Sequence, residues 1–196
     1  MVRTHYLTKQ KILLTEKDGQ KYDIEKEKYY LDKSLIDGLK LDIRVDNESV
    51  DRLVKMTQDE LTKKFGRPAA FGDVVWGVAN KMSMDAMRKG DLGLLRSIQL
   101  QMAIYLHYSG KDGTPLRESS FEIELREYKK SDAVKAVTIH NTNQCCDSCK
   151  ALKDKRLTLD EAINQKFLPC KACTYKMSPK ATSGWCRCYY SPEISM

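Results

Sequence analysis

Seven cysteines lie between positions 145 and 188 of this 196-residue chain, and the first 144 residues hold none. Cys146-Asp147-Ser148-Cys149 and Cys170-Lys171-Ala172-Cys173 are C-x-x-C steps separated by 20 residues, and Cys186-Arg187-Cys188 is a C-x-C step. A C-x-x-C turn places two sulfurs on one side of a tight bend. Two such bends face to face make a tetrahedron of thiolates around Zn²⁺, with Zn–S of about 2.3 Å. Two ligand sets are open. One is Cys146, Cys149, Cys170 and Cys173. The other keeps Cys146 and Cys149, takes one of Cys170/Cys173 and adds one of Cys186/Cys188. The metal-free alternative is a set of buried, reduced thiols. A redox pair of the thioredoxin kind needs a βαβ setting that this sequence lacks.

Other residues carry weaker chemical signals. Trp185, Tyr189 and Tyr190 surround Arg187. Such a group can stack on bases, which makes Trp185 and Arg187 the candidate nucleic-acid contacts. Burial around a metal knuckle is the favoured fate of these rings, because aromatics bury large area. His140 precedes the first knuckle and reads as a strand-end residue. Glu127-Tyr128-Lys129 is an acid-x-Lys step of the kind found in Mg²⁺-dependent nucleases; a solvated strand face explains it as well. Gly110-Lys-Asp-Gly-Thr114 lacks Walker spacing and reads as a turn. Met82, Met84 and Met87 read as helix-face residues.

The positioning elements follow from periodicity. Residues 10–31 predict a β-hairpin, with Ile12, Leu13 and Leu14 before an Asp18-Gly19 turn and Tyr22 and Ile24 after it. A short strand is expected over 39–45. Helices are predicted over 48–65 with Asn47 as N-cap and Gly66 as stop, over 68–89 with Pro68 in its first turn, and from Asp91 to about Gly110. Phe121, Ile123 and Leu125 alternate with charged residues and predict a strand, and Val134, Val137 and Ile139 predict another. Thr158-Leu-Asp-Glu161 is a capping box opening a helix to about Gln165. The expected fold is α+β: an N-terminal hairpin, a three-helix core, a few later strands and a treble-clef-like zinc-knuckle module. The polar run near 130–133 divides it into 1–132 and a cysteine-rich module, 133–196.

The cysteine region resembles the C-terminal tail of phage Mu F-like head-morphogenesis proteins over about residues 140–190. The residues that carry the likeness are Cys146-x-x-Cys149-x-Ala151-Leu152, the Leu152-Lys-Asp-Lys155 segment, Leu168-Pro169 and Cys186-Arg187-Cys188. The resemblance implies a metal-ordered tail on a phage or mobile-element protein, and favours the ligand set that uses the C-x-C.

Charge adds little. Residues 133–196 carry 10 Lys+Arg against 5 Asp+Glu, the bulk of the formal net charge of +7, but four thiolates and one Zn²⁺ would remove two positive charges. No apolar run approaches the roughly 18 residues of a membrane span. The first ten residues lack the apolar stretch of a signal peptide, so a reducing cytoplasm is the expected setting. No small-molecule substrate site is evident. The sequence therefore predicts a non-catalytic, zinc-stabilised binding or assembly protein that contacts nucleic acid or a protein. A metal-dependent nuclease using the 122–129 strand is the alternative, and a structural head or portal component is another.

Overall fold

A computed structural model describes residues 2–4, 11–13, 20–143 and 145–194 of the chain, with side chains from Glu27 onward. The chain divides into two compact units, residues 1–82 and 83–196. The boundary expected near 132 falls inside the second unit.

In the first unit, β1 (Val2–Thr4) pairs antiparallel with β2 (Lys11–Leu13), Val2 opposite Leu13. The expected hairpin between Ile12 and Tyr22 is thus replaced. Its second arm belongs to helix α1 (Gln20–Lys40), and its turn residues lie outside the described ones. Leu31, Leu35 and Leu39 recur every four residues and are buried, so helical periodicity over twenty residues prevails over a two-residue alternation. The strand expected over 39–45 is also corrected: Leu39 ends α1, and Leu41 and Ile43 are 79% and 100% exposed in the turn that follows.

Helix α2 (Asn47–Phe65) is capped by Asp46, one residue before the expected Asn47. The Asp46 carboxylate accepts from the backbone N–H groups of Glu48 and Ser49, and Gly66 closes the helix at φ 64°. Helix α3 (Phe71–Lys89) starts three residues after Pro68, and the unit boundary falls within it. Val74, Val75, Val78 and Ala79 are fully buried.

In the second unit, Asp91 caps helix α4 (Leu92–Tyr108) by accepting from the Leu94 N–H. Residues 114–129 form helix α5 (Thr114–Lys129), with Pro115 in the first turn. This corrects the strand expected at 121–126. Phe121, Glu124 and Leu125 follow helical spacing, and Ile123 is buried too. A helix covered on more than one side can imitate strand alternation. Its start is pressed against α4: a Cβ on Gly113 would lie 2.5 Å from the Ala103 carbonyl oxygen. Strand β3 (Val134–His140) follows and is the centre of a three-stranded antiparallel sheet. Its neighbours are β4 (Arg156–Thr158) and β5 (Tyr189–Ile194). Helix α6 (Asp147–Lys150) and helix α7 (Leu159–Gln165) fill the connections, and the Thr158–Glu161 capping box opens α7.

The chain is therefore α+β. The sheet, α5 and α7 share one core that includes Phe121, Leu125, Val137, Ile139, Leu159 and Tyr190 together with four buried cysteines. Among the described residues no helix is long and apolar enough to cross a membrane.

Candidate metal centre

Each C-x-x-C closes as a tight turn. The Cys149 N–H donates to the Cys146 carbonyl and the Cys173 N–H to the Cys170 carbonyl, both at 3.0 Å. The first turn follows β3 directly and runs into α6. The second follows α7 and the buried Leu168 and Pro169. The C-x-C immediately precedes β5, whose residues Tyr189 and Tyr190 pair with His140 and Ile139. The central strand of the sheet thus leads into the first knuckle, and the edge strand beside it carries the last pair of sulfurs to the same place.

The result is two groups of sulfurs with one member in common. Cys146, Cys149 and Cys173 lie within 4.8 Å of one another, and so do Cys149, Cys186 and Cys188. The Cys146–Cys173 separation is 3.9 Å and the Cys149–Cys186 separation 3.8 Å. A tetrahedron with arms of about 2.3 Å has edges of about 3.8 Å, so both separations suit a shared ion. Cys149, Cys186 and Cys188 are at most 1% exposed. Soft donors at this spacing can hold a metal ion. Of the six cysteines singled out from sequence, five belong to these groups. Cys170 belongs to neither, although it packs on the same core, as does Cys145.

The surroundings favour a thiolate at Cys146 and oppose one at the buried cysteines. The Thr174 backbone N–H aimed at Cys146 is the main cause that holds its thiol at about 6, well below the usual range. Burial pushes Cys173 up to about 11 and Cys188 up to about 12, with Cys186 as a further cause in each. Burial likewise raises Cys149. Packed sulfurs of this kind cannot all ionise without a cation among them.

This gives metal-free and metal-loaded protein opposite responses to pH. In the metal-free protein, raised thiols favour the protonated fold. The stability they contribute is complete below the ordinary thiol value of about 8.5 and is lost above it. Cys146 acts in the other direction, and its part is lost as pH falls through about 6. Metal-loaded protein needs the thiolates and loses stability in acid, as protons displace the ion. Thermal melts from pH 6 to 10 should therefore fall chiefly on the alkaline side for chelated protein, with the smaller Cys146 loss towards pH 6, and on the acid side alone for loaded protein. A chelated sample that gains stability above pH 9 contradicts this.

Sequence reading missed the residues that support the sulfurs. Asn141 donates through Nδ2 to the Cys149 carbonyl at 2.7 Å and to Cys145 Sγ at 3.6 Å. Its position five residues before the first knuckle was the available signal. Arg117 reaches from α5, with its guanidinium 4.2 Å from the Phe121 ring centroid and 5.2 Å from that of Trp185. Burial lowers its pKa to about 10, opposed by Cys186 beside it. Nothing local in the sequence marks it.

Trp185 is only 8% exposed, against Arg117 and the buried His107, whose ring centroid lies 5.1 Å away. It is therefore a packing residue, with its ring covered rather than presented to a base. Arg187 stacks over Tyr175 at 4.1 Å. His140 lies beside Asp154 and Tyr189 and belongs to neither sulfur group. Glu127 and Lys129 stand on the last turn of α5, while Glu122 pairs with Arg126 and Lys166, and Glu124 with Arg96. The strand required for the acid-x-Lys reading is absent there.

No known family model matches the chain, nor does any curated protein or solved structure.

Proposed function

We propose that the second unit carries a zinc-ordered, non-catalytic assembly module whose basic face contacts nucleic acid. The observation that carries the reading is the pair of sulfur groups joined at Cys149, at the junction of β3, both knuckles and β5. Zinc is the preferred ion because tetrahedral, all-thiolate surroundings in a reducing compartment suit a d¹⁰ ion with no geometric demand of its own. Bound there, the ion would cross-link three stretches of chain. The likeness of residues 140–190 to phage Mu F-like tails agrees with a module of this kind in a phage or mobile-element protein.

Charge favours nucleic acid as the partner. From Ala162 to Pro192 the chain contains Lys166, Lys171, Lys176, Lys180 and Arg187 and no acidic residue. Lys171, Lys176 and Lys180 are exposed. Contact through these residues is electrostatic and reads no sequence, since the Trp185 ring is covered.

An electrophoretic shift assay tests the partner. Wild-type protein should shift duplex DNA or RNA at low salt, with affinity falling steeply as salt rises. A Lys171→Glu/Lys176→Glu/Lys180→Glu variant, with unchanged metal content, should bind at least about tenfold more weakly. Absence of any salt-sensitive shift by loaded wild-type protein removes nucleic acid and leaves a protein partner.

A further inference from the structure

We propose that the cysteine cluster holds two divalent ions that share the Cys149 thiolate. The inference rests on the zinc reading above and goes further, to the number of ions and the way the sulfurs divide between them.

Three observations carry it. First, among the described residues no four sulfurs all lie within 4.8 Å of one another; the groups are two triads with Cys149 in both. A single tetrahedral ion needs six mutual edges of about 3.8 Å. One ion at the first triad, with Cys170 as its fourth donor, would leave Cys186 and Cys188 packed against Cys149 without a cation, all three at most 1% exposed. Two ions, one per triad, keep these five sulfurs where they stand, and only the half-buried Cys145 and Cys170 must turn to complete the sets.

Second, the inventory closes. Two four-coordinate ions that share one thiolate need seven sulfurs, and the chain has seven cysteines. The two outside the triads are placed to serve different ions. Cys170 is the other half of the knuckle that supplies Cys173, and its carbonyl takes the Cys173 N–H. Cys145 Sγ is held beside the first knuckle by Asn141 Nδ2, which also donates to the Cys149 carbonyl. Both are half-buried against the same core. The first ion then takes Cys146, Cys149, Cys170 and Cys173, and the second Cys145, Cys149, Cys186 and Cys188. A bridging thiolate donates two lone pairs, one to each ion, which a single imidazole nitrogen could not do.

Third, a compensating cation is in place. Seven thiolates with two dications leave three negative charges. The half-buried Arg117 and Cys186 line one small cavity, whereas Lys150 is exposed and paired with Asp147 at 2.7 Å. Buried anionic clusters need neighbours such as Arg117.

The test uses the full chain purified with zinc. Elemental analysis should give two ions per chain. After exchange into ¹¹³Cd, two cadmium resonances of all-thiolate type should appear, coupled to each other, with the Cys149 β-protons coupled to both. Cys188→Ser should lower the count to one and leave a single cadmium signal. One ion per wild-type chain, or two without a common Cys149 coupling, overturns the shared thiolate and leaves the zinc-ordered module standing. No ion at all overturns both.

Discussion

Cys149→Ser will abolish metal binding and lower the thermal midpoint of the second unit by more than about 10 °C. Cys149 alone belongs to both sulfur groups, so its loss breaks every complete donor set at once. A serine hydroxyl does not ionise near neutral pH and is a poor donor for a soft site. An ion bound a thousandfold above its Kd stabilises the folded state by about 4 kcal/mol, and for a unit of this size each kcal/mol moves the midpoint by several degrees. The control is internal. Adding a strong chelator to the variant should change nothing further, whereas the same chelator should bring wild-type protein down to the variant's level. Retention of stoichiometric metal by Cys149→Ser would place the ligands elsewhere.

Gly184→Ala should be nearly as damaging without touching a sulfur. A Cβ at residue 184 would lie 1.7 Å from the Cys173 carbonyl oxygen and 3.3 Å from Cys173 Cβ. Those are backbone atoms of the second knuckle and the stem of a ligand, so no rotamer change relieves the clash. The Trp185 N–H also donates to the Tyr175 carbonyl just beyond, which fixes the two segments against each other. Either the knuckle or the C-x-C must move, and the two arms of the sulfur cluster separate. We expect a loss at or beyond the upper end of the usual overpacking range of about 1–3 kcal/mol, together with a drop in metal affinity of at least tenfold. Equilibrium unfolding and competition with a chromophoric chelator read the two quantities. Wild-type values for both would mean that the close approach of Gly184 to Cys173 does not exist in solution.

What the sequence reveals is what local chemistry determines. Gly66 ends its helix at φ 64°, and the Thr158–Glu161 box opens α7. Val134, Val137 and Ile139 lie in a strand, as their pattern implies. Failures come where tertiary cover overrides local pattern. Ile123 looks like a strand residue because α5 is buried on more than one side, and Tyr22 and Ile24 look like a strand because two residues cannot reveal a period. The module also has more apolar core than its short elements suggest, since Phe121 and Leu125 enter it from a helix outside the cysteine-rich segment. The cysteine spacing marks a candidate metal site, but it cannot show that Cys149 faces both neighbours. That depends on β5 pairing with β3, a long-range event that brings residues 186 and 188 back to residue 149. Arg117 is illegible for the same reason: it meets Cys186 only after α5 has packed.

The most direct measurement is metal content before and after a strong chelator, with limited proteolysis and a thermal melt on each sample. The account predicts stoichiometric zinc in the protein as purified. It also predicts that chelation exposes residues 141–188 to protease and lowers the melt, with both effects reversed when zinc is returned. Protein that carries no metal, and whose cleavage pattern and melting are indifferent to the chelator, would contradict it.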